Sequence, residues 1–143
     1  MLRNFPIPEA SLAGIAAGFA LEQVRPWRFH AVRRSVGWPI VAAGSMLIAR
    51  SLKAARSTEL SRPQRLVTSG PYATTRNPMY VGWASLQLGI GVAAGSGWTL
   101  APLPLVAAAV HRDVLREERR LTETFGDEYQ QYCATVGRYL PKR

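Results

Sequence analysis

Cysteine and histidine are nearly missing from this 143-residue chain: Cys133 stands alone, and His30 and His111 are far apart. A single cysteine excludes an internal disulfide, and two scattered histidines give no metal-ligand spacing, so no metal is expected. Acidic residues are also scarce, nine against eighteen Lys and Arg, for a formal charge of +9. Charge is absent from 10–21, 36–49 and 79–110. Helices of soluble domains alternate polar and apolar faces at a 3.6-residue period. These stretches are apolar all round, as in helices enclosed by protein or lipid. One domain is expected at this length.

A basic excess fits either nucleic acid or the anionic cytoplasmic leaflet of a membrane. Here the basic residues flank the apolar stretches and form no single stripe. That favours membrane lipid as a partner and argues against nucleic acid. Residues 1–24 do not read as a signal peptide, because Glu9 precedes the apolar part, Glu22 sits near its end, and no cleavage site follows.

Four apolar segments emerge. The first, 8–24, is rich in Ala and Gly, which lets another helix approach closely. The second, 36–54, ends in Arg50 and Lys53, placed to snorkel to an interface. The third, 78–95, opens with Pro78 in its first turn. Ser96-Gly97 predicts a tight hairpin into the fourth, 98–111, which Pro102 and Pro104 interrupt. Each is slightly shorter than the ~20 residues of a usual crossing, and interfacial residues extend them. Trp27, Trp38, Trp83 and Trp98 read as interfacial belt residues, and Gln87 as a polar group facing the bundle interior.

With both termini cytoplasmic, Arg3, the loop bearing Lys53, Arg56, Arg62, Arg65 and Arg76, and the basic tail all lie inside. Arg25, Arg28, Arg33 and Arg34 lie outside, a cluster large enough to suggest a partial or interfacial first segment. This topology puts "GPYATTRNPMY" (70–80) and the tail (111–143) on one face. In the tail, HRDVLREERRLTETF predicts an amphipathic helix. Gly126 suits its C-terminal end, and Asp127 suits the N-cap of a second short helix. The expected fold is thus all-α: an integral membrane bundle of about four transmembrane helices, with an amphipathic helical tail.

Two stretches, "LVTSGPYATTRNPMYVGW" (66–83) and "REERRLTETFGDEYQQYCATVGRYLP" (116–141), closely resemble the membrane-embedded isoprenylcysteine carboxyl methyltransferases and their phospholipid methyltransferase relatives. That family shows a Gly-Pro-Tyr turn and Arg-His-Pro-x-Tyr-x-Gly, matched by Gly70, Pro71, Tyr72, Arg76, Pro78, Tyr80 and Gly82. Its Glu-Glu-x-x-Leu, Phe-Gly-x-x-Tyr-x-x-Tyr and Arg-x-x-Pro elements are met by Glu117, Glu118, Leu121, Phe125, Gly126, Tyr129, Tyr132, Arg138 and Pro141. The matched blocks cover about half the chain, in order and with a helical hairpin between them. Asn77 replaces the family's usual histidine. It keeps a donor and an acceptor but cannot carry a proton at neutral pH.

The resemblance implies an S-adenosylmethionine-dependent methyltransferase with a cytoplasm-facing cofactor pocket and a lipophilic or prenylated substrate entering from the bilayer. Its implied cofactor-binding residues are Gly70, Tyr72, Arg76, Asn77, Pro78, Tyr80, Glu117, Glu118 and Tyr129, and its implied catalytic residues are Glu118, Arg138 and Arg76. Adjacent glutamates on a helix point about 100° apart, so one can face the pocket while the other meets an arginine. Arg76 and Arg138 suit a bidentate grip on a carboxylate. Each feature has a plainer reading: REERR as a solvated face, Pro71 and Pro78 as turn and helix start, Tyr129 and Tyr132 as interfacial packing, Arg138 as a lipid anchor. Phe125-Gly126 reads as architectural and His111 as a helix-end residue. A sterol-reductase-like enzyme using NADPH and a non-catalytic membrane protein on the same scaffold are the rival functions. The methyl acceptor, carboxylate or amine, and the oligomeric state stay open.

Overall fold

Proline and glycine punctuate this chain into helices. The computed structural model describes residues 9–29, 33–56 and 65–142; Arg3, His30 and Arg62 lie outside them. Helices α1 (Glu9–Val24), α2 (Arg33–Ala55), α3 (Pro78–Ala94), α4 (Gly97–Leu100), α5 (Leu103–Phe125) and α6 (Asp127–Thr135) follow in order, with a 3-10 turn at Gly70–Ala73. Among the described residues the fold is all-α, with two isolated bridges, Arg28 to Ser96 and Thr75 to Gly137. Among the described residues, one helix is long and apolar enough to cross a membrane, over Ser35–Ala55.

Helices α2 and α3 run antiparallel and in close contact because glycines remove side chains where they cross. A β-carbon on Gly82 would lie 2.7 Å from Ile48 Cγ1 and 3.0 Å from the Gly44 carbonyl, and one on Gly44 would lie 2.8 Å from the Gly82 carbonyl. Two turns away, a β-carbon on Gly89 would meet Val41 at 2.7 Å. Close approach of this kind is how helices associate where lipid removes the hydrophobic drive. The sequence placed small-residue packing in α1, where Gly18 does abut Thr99; the same device also joins α2 to α3.

The loop between α1 and α2 is tied to the turn after α3. Glu22, 6% exposed, accepts from Ser96 Oγ at 2.6 Å, from the Trp27 amide at 3.1 Å and from Arg28 Nε at 3.2 Å. Phe29 donates to the Gly95 carbonyl, Gly97 to that of Trp27, and Trp98 Nε1 to that of Arg25. Trp27 and Trp98 meet edge to face at 5.3 Å. Arg28, one of the four arginines counted on the outer side, is therefore partnered. Gly95, at φ 63, makes the left-handed turn, and Ser96 caps α4 through the Thr99 amide.

The expected fourth segment needs correction. Helix α4, which holds Trp98, lasts one turn, and α5 then runs unbroken from Leu103 through His111 to Phe125. Pro102 and Pro104 flank the first residue of α5, where no amide needs a partner, and the interruption expected at the prolines falls at 101–102, between α4 and α5. No breaker follows until Gly126. The apolar segment and the charged tail helix are one element of about 35 Å. Asp127 begins α6 as its first residue, and Gly126, at φ 51, occupies the cap position. Gln87 is fully buried, as expected of a group facing the bundle interior, and donates to the Thr99 carbonyl at 3.4 Å.

Candidate functional site

At the end of the bundle opposite Glu22, the 70–80 loop meets the C-terminal tail. The main chain makes the first connection: the Arg76 amide donates to the Gly137 carbonyl at 2.9 Å. Thr75 Oγ1 and Asn77 Nδ2 both donate to the Arg138 carbonyl, at 2.9 and 3.1 Å. Tyr132 Oη donates to the Tyr72 carbonyl at 2.6 Å. Beneath these bonds Tyr129, Tyr132 and Val136 form a small core packed by Leu66, Leu121, Phe125 and Cys133. The apolar face of α6 thus holds the tail over the loop while polar bonds align it.

Charge converges on Glu118. Arg138 grips this carboxylate through Nε at 3.0 Å and Nη2 at 2.7 Å, and Arg76 Nη2 reaches it at 3.1 Å. The Arg76 and Glu118 side chains are 11% and 14% exposed. Charged pairs so placed hold firmly only when their remaining donors and acceptors are also met. Arg76 meets most of that demand: Nη1 donates to Cys133 Sγ, and the guanidinium lies 6.0 Å from the Tyr129 ring centroid. Its Nε is buried with no partner. A buried donor left unpaired is costly.

Glu117, one residue earlier, points elsewhere. Burial pushes its carboxyl above the usual carboxylate range and Glu118 adds to this, against the pull of Arg120. Its charge is felt by Tyr72, whose phenol is pushed up to about 12, chiefly by burial. Tyr80 neighbours the same carboxylate. Burial likewise raises Tyr129 and Tyr132, and these phenols stay protonated near neutrality as donors. The junction therefore holds a guanidinium N–H without a partner, a half-buried carboxylate and several aromatic faces.

These contacts bring Tyr72, Arg76, Asn77, Tyr80, Glu117, Glu118, Tyr129 and Arg138 to one junction. Pro78 is buried as the first residue of α3. Gly70 stands apart: at φ 61 it opens the 3-10 turn, and its α-carbon faces Ala54 of α2.

The sequence profile of the phospholipid methyltransferase family matches residues 32–128, well over half of the chain. The chain belongs to the phospholipid methyltransferase family. It is also 37% identical over 84 residues to the human protein-S-isoprenylcysteine O-methyltransferase, covering 58% of this chain and 30% of that protein. Over 77 residues it is 34% identical to the cobalt-zinc-cadmium resistance protein CzcN of Cupriavidus metallidurans, covering 54% and 36%. The mouse isoprenylcysteine enzyme is 36% identical over 85 residues. The chain thus spans about a third of the length of the relatives it matches.

Within this phospholipid methyltransferase family member, sequence reasoning missed three contributors: Thr75, Cys133 and Tyr139. Cys133 lies one helical turn after Tyr129, a spacing that puts both on one face and was open to inspection. Thr75 and Tyr139 carried no such signal. Tyr139 reaches the site by accepting or donating across 2.8 Å to His111 Nδ1, a contact of the returning tail. Among the described residues, no group of three His, Cys, Asp or Glu side chains converges.

Proposed function

We propose that this chain is an S-adenosylmethionine-dependent methyltransferase acting on a lipophilic acceptor, an isoprenylcysteine-like carboxylate or a related small lipid, at the cytosolic face of a membrane. The observation that carries the reading is the meeting of loop and tail on Glu118, beside the unpartnered Arg76 Nε and the half-buried Glu117. Family membership supports the reaction class.

When bound, the cofactor supplies a methyl group on a sulfonium, which is displaced in line. Arg76 Nε would hold the carboxylate of the cofactor, and Glu117 would accept from its ammonium or ribose. Tyr72, Tyr80 and Tyr129 offer faces and hydroxyls to the nucleoside, while Gly70, Asn77 and Pro78 shape the loop. Glu118 sets the two arginines in place, and Arg138 closes the tail over them. Such a site acts by positioning and by excluding water, more than by acid–base strength. A carboxylate acceptor needs no base. An amine acceptor would pass its proton to Glu117, whose basicity burial raises, because both Glu118 oxygens are engaged.

The bundle is read as about four crossings. Helix α2 has the needed length. Helices α1 and α3, about 24 and 26 Å long, reach across with interfacial residues at their ends, and the apolar start of α5 completes the set. Both termini and the site then face the cytosol, in keeping with the basic residues of the loop and tail.

The test is transfer of labelled methyl groups from S-adenosylmethionine into a lipid extract of the source cells by the detergent-solubilised chain. Label in a lipid product, lost in Glu118→Gln, is expected. Absence of both transfer and cofactor binding would overturn the reading, and NADPH binding in their place would favour a reductase.

A further inference from the structure

Asn77 stands at the N-cap of α3, where asparagine normally turns its side chain back to accept from the first amides of its own helix. Here it does not. The cap makes no side-chain hydrogen bond to α3, while Nδ2 donates forward to the Arg138 carbonyl at 3.1 Å. Thr75 Oγ1 donates to the same oxygen at 2.9 Å and accepts from the Asn77 amide at 3.3 Å. Two side chains of one loop thus saturate both lone pairs of a single tail carbonyl. The Arg76 amide, between them, takes the Gly137 carbonyl. The residue so held is the one whose guanidinium grips Glu118.

We infer that Asn77 is a positioning residue: with Thr75 it clasps the Arg138 backbone and so sets the Arg138 side chain on Glu118. The inference rests on the methyltransferase reading for its kinetic consequence, but the clasp itself is independent of it. An amide donor carries no charge, so Asn77 holds the tail without adding a third cation beside Arg76 and Arg138. Loss of the donor leaves α3 intact, because no cap bond is spent there. It should loosen residues 137–138 instead.

The experiment uses the full chain in detergent with Asn77→Leu, Asn77→His and Thr75→Val, read by hydrogen exchange at the Arg76 amide. Asn77→Leu and Thr75→Val are expected to speed that exchange about threefold to tenfold, the range set by one hydrogen bond. Asn77→His, which keeps a donor, should restore protection. Unchanged exchange in both donor-less variants would overturn the inference, even if no methyl transfer is found. Kinetically, Asn77→Leu should lower kcat about tenfold in the wild-type background and little in an Arg138→Ala background. Equal losses in both backgrounds would overturn the claim that Asn77 acts through Arg138. Failure of cofactor binding in the wild-type chain, with the exchange pattern as expected, would sink the functional reading and leave the clasp standing.

Discussion

Arg138 holds Glu118 with both arms of its guanidinium, Nε at 3.0 Å from one oxygen and Nη2 at 2.7 Å from the other. Arg138→Lys keeps the charge and loses this fork. Because Arg138 is 37% exposed, the loss is expected to be modest, about 1 kcal/mol. Glu118→Gln removes the anion that two guanidiniums share and should cost more, about 2–3 kcal/mol. Thermal unfolding of the two variants in one detergent would rank them. The reverse order would mean that Arg76 finds its partner elsewhere.

Glu117 should make stability depend on pH. Its folded-state affinity for a proton is raised by burial. Its contribution is therefore fully present below the unfolded carboxylate value near 4.5 and is lost as pH rises through the higher folded value. Melting temperature should rise as pH falls from neutrality towards 5. In Glu117→Gln this rise should shrink, while the variant melts higher than wild type at pH 7 and binds S-adenosylmethionine more weakly. A wild-type melting temperature flat over this range would refute the assignment.

At the crossing of α2 and α3, Gly82→Val places carbon where Ile48 and the Gly44 carbonyl already stand. Overpacking of this kind costs about 1–3 kcal/mol. Ala84→Leu, exposed on the same helix, should be near neutral. Circular dichroism melts of the pair would distinguish a packing effect from a general intolerance of α3 to larger residues.

Gly126 joins α5 to α6 at φ 51 and ψ −121, a combination essentially restricted to glycine, and nothing lies within 4 Å of where a β-carbon would stand. Gly126→Ala is therefore expected to cost about 1–3 kcal/mol through the backbone alone. Limited proteolysis should cut the α5–α6 junction faster in this variant, with cofactor affinity falling alongside.

Much of this architecture is written locally in the chain. Pro78 marks the start of α3 because its missing N–H suits a first turn, and Gly126 marks a break because only glycine takes that backbone conformation. The helix that carries the end of the fourth segment runs on past His111 for an equally local reason. Charge begins at His111, but a change in polarity does not stop a helix, and residues 105–125 hold no breaker. The Thr75 and Asn77 bonds to Arg138 were illegible because their acceptor is a main-chain oxygen, which no side-chain pattern advertises. Cys133 against Arg76 depends on how α6 lies over the loop, a tertiary matter. The small-residue contact of α2 with α3 was readable in part, since Gly37, Gly44, Gly82 and Gly89 recur at seven-residue spacing, yet which glycine faces which needed the fold.

The inward side of α1 consists of Ser11, Gly14, Gly18 and Glu22. Three of these four are small, and at Gly14 and Gly18 neighbouring atoms come up against the helix backbone itself. Only the last carries a charge. At its far end the first helix is pegged by a single acid, whose two oxygens reach Ser96, Trp27 and Arg28 and so tie the helix to the loop that follows it and to the turn after α3.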